Sequence, residues 1–183
     1  MKTQIGRKIL KELSEMSKWD FKPTIRSISS TYGGSLKRGD VFDLARAFLN
    51  ISSMTHKKLQ KLCYYAKAWY LALYDENLID DTFEAWVNGA VQPHLYQEYR
   101  IYGFQYIPKE FDARGIPEEF LSFAREIYES YGDLDGDELE RLNHTEQPWL
   151  NARKGLKPWQ GSDNIISEED MKIYYRKLME NKE

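Results

Sequence analysis

MTHKKLQKLCYYAKAW, from Met54 to Trp69, is the stretch that decides the fold of this 183-residue chain. Its apolar residues recur every three or four positions, which is the period of an α-helix. Tyrosines and leucines also fill the positions between, so that the helix is apolar on most faces, as helices at the centre of a domain usually are. We therefore expect a central buried helix from about Thr55 to Tyr74. The basic residues of its first turns should point to solvent: His56, Lys57, Lys58 and Lys61.

Start and stop signals place further helices on both sides of this stretch. Capping residues, prolines and glycines mark their ends. The expected helices begin at about Asp40, Pro93, Pro117, Asp137, Pro148 and Ser167. Apolar and polar residues alternate between Phe83 and Val87, which favours one short strand. The fold class is therefore mainly α: a compact multi-helix domain with at most a minor β-hairpin, plus an N-terminal helical arm.

The first 39 residues differ in charge from the rest of the chain. They hold nine Lys/Arg and three Asp/Glu, whereas residues 40–183 hold 17 and 26, so the net charges are +6 and −9. Residues 3–18 have a helical period, and turn and linker residues follow up to Gly39. We therefore divide the chain into a basic arm, residues 1–39, and a main domain, residues 40–183. The arm could bind an acidic partner, nucleic acid or the chain's own body.

Cysteine use and hydropathy favour a cytoplasmic protein. Cys63 is the single cysteine, so no intrachain disulfide forms, and its apolar neighbours at helical spacing indicate a buried, inert thiol. The basic residues at the N-terminus precede no continuous apolar stretch, which argues against a signal peptide. No run reaches the roughly 18 apolar residues of a membrane helix. We expect no membrane insertion.

The sequence contains no recognisable catalytic or metal-binding set. Its three histidines lack the spacing of zinc ligands: His56, His94 and His144. A loop starting at Asp133 lacks the glycine and glutamate that an EF-hand requires at its sixth and twelfth positions. The glycines at 33 and 34 lack the spacing of a phosphate-binding loop. We therefore predict no catalytic residue, no metal and no cofactor, and expect a protein that is not an enzyme.

Several segments, taken in order, resemble one family. They are VFDLARAFL at Val41–Leu49, the quoted stretch at Met54–Trp69, FEAWVNGAVQPHLY at Phe83–Tyr96, LNHTEQPWL at Leu142–Leu150 and IIS at Ile165–Ser167. Together they resemble the SocA-like Panacea domain, over residues 40–183. The family usually has Gly-Pro-Val where this chain has Gly89-Ala90-Val91, and the loss of that proline frees the backbone slightly. The first 39 residues have no counterpart in the shared domain.

The resemblance implies an antitoxin, encoded beside its toxin and often carried by phages or prophages. Panacea proteins neutralise many unrelated toxins, and the SocA member delivers its toxin to the ClpXP protease. The favoured role is direct binding of a cognate toxin. Two alternatives stay open: an adaptor for a ClpXP-type protease, and a nucleic-acid-binding autoregulator that acts through the basic arm. Nucleic acid is the less favoured partner because the body is acidic and the arm lacks a helix-turn-helix. The resemblance fixes neither the toxin nor the oligomeric state.

Aromatic residues and arginine dominate the binding energy of protein interfaces. We therefore take as candidates the aromatic residues near Gly89-Ala90-Val91, where the chain departs from the family pattern. The candidate partner-binding residues are Trp86, His94, Tyr96, Tyr99 and Tyr102, with Arg7, Lys8 and Lys11 in the arm. Packing in the core is the alternative for each aromatic residue.

Overall fold

The computed structural model describes residues 39–180. The predicted helical arm and its residues Arg7, Lys8 and Lys11 lie outside this range, so the boundary near Gly39 stays a prediction. Seven α-helices form within the described residues: α1 Val41–Ile51, α2 His56–Tyr74, α3 Pro93–Tyr99, α4 Glu118–Tyr131, α5 Gly136–Asn143, α6 Gln147–Ala152 and α7 Glu168–Glu180. A 3₁₀ turn, Arg100–Tyr102, continues α3. The predicted fold class, mainly α, is confirmed.

Four short strands form two antiparallel pairs in this part of the chain. β2 (Glu84–Trp86) and β3 (Gly89–Val91) make the predicted minor hairpin, with Ala85 opposite Ala90. β1 (Met54–Thr55) pairs with β4 (Tyr106–Ile107), which the sequence did not indicate. This second pair ties the chain after α3 to the start of α2.

Helix α2 is central, as its apolar faces predict. It packs against α1, α3, α4 and α5. The rings of Tyr65 and Tyr131 stack at 4.2 Å, and Tyr175 of α7 meets Tyr65 edge to face at 6.3 Å. Cys63 is fully buried among these helices, as expected, and burial raises the pKa of its thiol. The tyrosine-rich composition therefore serves the core at these positions.

Helix starts follow the capping signals of the sequence. The side chain of Asp40 accepts hydrogen bonds from the amides of Phe42 and Asp43, and Thr55 caps α2 in the same way. Asp135 and Glu138 form a reciprocal capping box at α5. The acidic turn before α5 is thus the start of a capped helix, which agrees with the failed match to a calcium loop.

One expectation about α2 is wrong. Lys61 does not point to solvent: its side chain is 1% exposed and its Nζ donates to the carbonyl oxygen of Ala90 over 2.9 Å. Lys67 is buried as well and donates to the carbonyl oxygens of Ile79 and Asp81. Backbone carbonyls outside the helix supply acceptors for both lysines, and Lys67 also pairs with the carboxylate of Glu168 over 2.6 Å. Local sequence spacing reveals none of these partners.

Within the described residues, no helix is long and apolar enough to cross a membrane.

Candidate functional site

The β2–β3 hairpin is held by side chains from two helices, α2 and α5, and by the arginine that follows α6. Ala85 and Ala90 face each other in it, and their backbone groups point away from the hairpin. The amide of Ala90 donates to Asn143 Oδ1 over 2.7 Å, and its carbonyl accepts from Lys61. The carbonyl of Ala85 accepts from Arg153 over 2.8 Å. Each outward backbone group is therefore satisfied by a partner distant in sequence.

Gly89 allows the close approach between the hairpin and α2. Its φ is +94°, and a Cβ there would lie 2.7 Å from Lys61 Cε and 2.9 Å from Asn143 Oδ1. Both the backbone conformation and the space therefore require glycine at this position.

A buried polar cluster continues from the hairpin into the core. Asn143 donates to Glu146 Oε2 over 3.1 Å, and the same oxygen accepts from the hydroxyls of Tyr65 and Tyr175. Burial raises the pKa of Glu146 to about 7. Burial also lowers the pKa of Lys61 to about 7, which the nearby Glu140 opposes. The hairpin therefore lies on a cluster whose charges are costly to bury, and hydrogen bonds together with the nearby Glu140 carboxylate offset part of that cost.

A pair of glutamines fixes the start of α3. Gln60 of α2 donates to the carbonyl of Gln92 over 3.1 Å and accepts from its amide over 2.8 Å. The side chain of Gln92 then caps α3 by accepting from the amide of Leu95. Helix α3 and the residues after it are thus positioned by the same central helix that holds the hairpin.

The aromatic residues singled out from the sequence fall into two groups. Trp86 and Tyr96 meet edge to face at 5.0 Å, and Tyr96 also contacts His56 at 5.7 Å. Tyr99 and Tyr102 lie 6.4 Å apart. These four candidates are half-buried and His94 is exposed, so none lies fully in the core. Their role in binding stays a prediction.

The structure adds four residues that sequence reasoning missed. Ile101, Phe104, Tyr106 and Phe111 are 85%, 99%, 66% and 86% exposed. They lie within one short segment that also contains Tyr99 and Tyr102, and we call residues 99–111 the apolar segment. Because its apolar residues follow no helical or strand period, no local pattern indicates that they face solvent.

Hydrogen bonds fix the backbone of the apolar segment. Tyr106 and Ile107 pair with β1, and the amide of Glu110 donates to the carbonyl of Leu49 over 3.0 Å. Asn50 of α1 donates to the carbonyl of Glu110 over 3.0 Å. Four large apolar side chains are therefore displayed on an ordered backbone, an arrangement typical of a binding surface.

The described residues contain no group of three or more His, Cys, Asp or Glu side chains that could hold a metal ion. What the apolar segment offers is contact area, with Lys109 Nζ 5.7 Å from the ring centre of Phe111. This chemistry suits recognition of another apolar surface.

A family model described as "Antitoxin SocA-like, Panacea domain" matches residues 59–150. The match begins in α2 and ends in α6, so that it contains the hairpin, most of the buried polar cluster and the apolar segment. No curated protein and no solved structure matches the chain.

Proposed function

Because the chain belongs to the family of SocA-like Panacea antitoxin domains, we propose that it neutralises a cognate toxin by binding it directly, without catalysis. The apolar segment is the contact surface. Membership of the family supports the antitoxin role, and the exposure of the apolar segment supports binding at this place.

The exposure of Phe104 is the observation that carries this proposal. Its side chain is 99% exposed in a segment whose backbone is hydrogen-bonded on both sides of it. Full burial of one such side chain contributes about 1.5–3 kcal/mol. Four of them supply the apolar centre of an interface, which in stable complexes buries about 800 Å² on each partner.

Half-buried rings in and beside the segment extend this surface. Tyr99 and Tyr102 belong to the apolar segment, while Tyr96 of α3 precedes it in the chain and contacts Trp86 of the hairpin. Tyrosine and tryptophan bury a large area and lose little conformational entropy on binding, which suits them to the rim of an apolar contact.

The test is co-expression of the protein with the product of the neighbouring gene, followed by a binding measurement. The wild-type protein should restore growth and bind the toxin. The double substitution Ile101→Ala with Phe104→Ala should raise Kd by about 100-fold and abolish the rescue. Because both side chains are exposed, the variant should melt at the wild-type temperature.

Ile173→Ala is the matched control, since Ile173 is an exposed apolar residue of α7 outside the apolar segment. It should bind as the wild type does. A neighbouring gene product that is equally toxic with and without this protein would contradict the antitoxin role. Unchanged affinity of the double variant would instead place the contact elsewhere on the domain.

A further inference from the structure

Another exposed apolar side chain lies beyond the matched residues 59–150. It is Trp159, which is 74% exposed. Tryptophan is the residue most enriched at the energetic centres of protein interfaces. Trp159 belongs to a loop, residues 153–161, that connects α6 to the segment before α7; we call it the tryptophan loop.

The tryptophan loop is held from within by a buried arginine. Arg153 is 6% exposed, and its Nη2 donates to the carbonyls of Gln160 at 2.6 Å and Lys157 at 3.2 Å. Its Nη1 donates to the carbonyl of Ala85 in β2. One guanidinium therefore closes the loop on itself and fastens it to the hairpin. A loop ordered in advance loses less entropy when it binds.

The loop is basic, in contrast to the domain that carries it. Residues 153–161 contain three cationic residues and no Asp or Glu, whereas residues 40–183 have a net charge of −9. Arg153 is buried, but Lys154 and Lys157 are exposed. Lys157 Nζ lies 5.6 Å from the ring centre of Trp159. The loop thus presents an apolar ring flanked by two positive charges.

The hairpin links the tryptophan loop to the neighbourhood of the apolar segment. Trp149, over whose ring Arg153 lies at 5.1 Å, donates from Nε1 to the carbonyl of Trp86 over 3.0 Å. Trp86 in turn contacts Tyr96 of α3. These contacts run from the loop to α3, whose last residue, Tyr99, is the first residue of the apolar segment.

We propose that the tryptophan loop is a second contact to the toxin, in which Trp159 enters an apolar pocket bordered by carboxylates and Lys154 and Lys157 pair with those carboxylates. This inference rests on the proposed function and specifies its partner: the toxin surface is acidic where the loop binds. Two exposed lysines on an acidic domain suit a small acidic surface better than a nucleic acid, whose binding needs many phosphate contacts.

The experiment measures binding of the full chain to the neighbouring gene product at several salt concentrations. Trp159→Ala should raise Kd about 30-fold. The double charge reversal Lys154→Glu with Lys157→Glu should slow association about tenfold at low salt, and the difference should shrink at 1 M salt, where charges are screened over about 3 Å. Ile173→Ala and Lys177→Glu, both in α7, are the controls for lost apolar area and for altered charge.

The outcomes separate this inference from the function on which it rests. If the apolar-segment variant loses affinity while the loop variants bind as the wild type does, the inference is wrong and the proposed function stands. If the charge reversal leaves the association rate unchanged or raises it, the toxin surface that the loop contacts is not acidic. Loss of duplex DNA binding in the loop variants, with toxin affinity unchanged, assigns the loop to nucleic acid instead. A wild-type protein that binds no toxin overturns both proposals.

Discussion

Lys61 Nζ and the carbonyl oxygen of Ala90 lie 2.9 Å apart, and this hydrogen bond joins the central helix to the β2–β3 hairpin in the interior of the domain. The bond explains how a lysine is accommodated in a helix that is otherwise apolar on most faces. The carbonyl of Ala90 points away from the hairpin and would be an unsatisfied acceptor without it, at a cost of about 1–3 kcal/mol. The lysine therefore fixes the hairpin that carries Trp86.

The titration of Lys61 gives a test of its burial. Because burial lowers its pKa to about 7, the unfolded chain binds the extra proton between about pH 7 and 10 and the folded chain does not. The free energy of unfolding should therefore rise with pH from 7 to 9.5, by at most ~1.4 kcal/mol per unit from this group. Lys61→Met should remove that part of the rise in urea denaturation, and Lys177→Met, at an exposed site, should not. Parallel curves for Lys61→Met and the wild type would show that Lys61 titrates as an exposed lysine does.

Glu146 should act in the opposite direction at lower pH. Because burial raises its pKa to about 7, the folded chain holds a proton between about pH 4.5 and 7 that the unfolded chain has released. The contribution of Glu146 to stability therefore falls as pH rises through this range. Glu146→Gln keeps an acceptor for Tyr65 and Tyr175 but does not titrate. The variant should thus gain stability over the wild type from pH 5 to 7.5.

The quantity to measure is the unfolding free energy of Glu146→Gln minus that of the wild type. Because the other titrating groups are common to both proteins, their contributions cancel in this difference. Glu169→Gln, at an exposed position of α7, is the control for the same chemical change at the surface. A constant difference for Glu146→Gln would mean that Glu146 ionises in the folded state as it does in water.

Alanine substitutions at two glycines distinguish the cost of backbone strain from the cost of steric overlap. Gly89 and Gly155 both have positive φ, at +94° and +85°, but a Cβ at Gly89 would overlap Lys61 while one at Gly155 meets nothing within 4 Å. Gly155→Ala should therefore cost about 1 kcal/mol from the left-handed backbone alone. Gly89→Ala should cost about 3 kcal/mol, because the overlap adds to the strain. Equal losses in chemical denaturation would show that Lys61 moves aside without cost.

The helices could be predicted from the sequence because their signals are local. Asp40 and Thr55 cap helices where the sequence places them, and the prolines and glycines bound the others nearly as expected. The burial of Lys61 does not follow from local sequence, because the acceptor of its hydrogen bond lies 29 residues away along the chain. The family resemblance indicated the order of the elements without indicating which side chains become buried.

The binding surfaces were harder to predict than the fold. An aromatic residue in an irregular segment is equally compatible with the core and with solvent, so Phe104 and Phe111 carried no sign of their exposure. Trp86 is part of the hairpin and Tyr96 of α3 contacts it, while the role of both rings in binding stays a prediction. The tryptophan loop depends on Arg153, whose hydrogen bonds to carbonyls are a property of the folded chain alone.

Ala90→Pro tests the departure from the family pattern. Ala90 uses its amide to donate to Asn143 and not to pair within the hairpin, so a proline leaves the strand pairing intact and removes one buried hydrogen bond. In the wild-type background the loss of that bond costs about 1–2 kcal/mol. The proline also restricts the unfolded chain, which stabilises the folded protein by about 0.4–1 kcal/mol and offsets part of this cost. We expect a net loss of about 0.5–1 kcal/mol.

In the Asn143→Ala background the amide of Ala90 has already lost its acceptor, so the same proline removes an unsatisfied donor and should stabilise the protein. The unfolding free energies of the four proteins form a double-mutant cycle, and the effect of the proline should change sign between the two backgrounds. An equal effect in both would mean that the hydrogen bond between Ala90 and Asn143 contributes nothing to the stability of the protein.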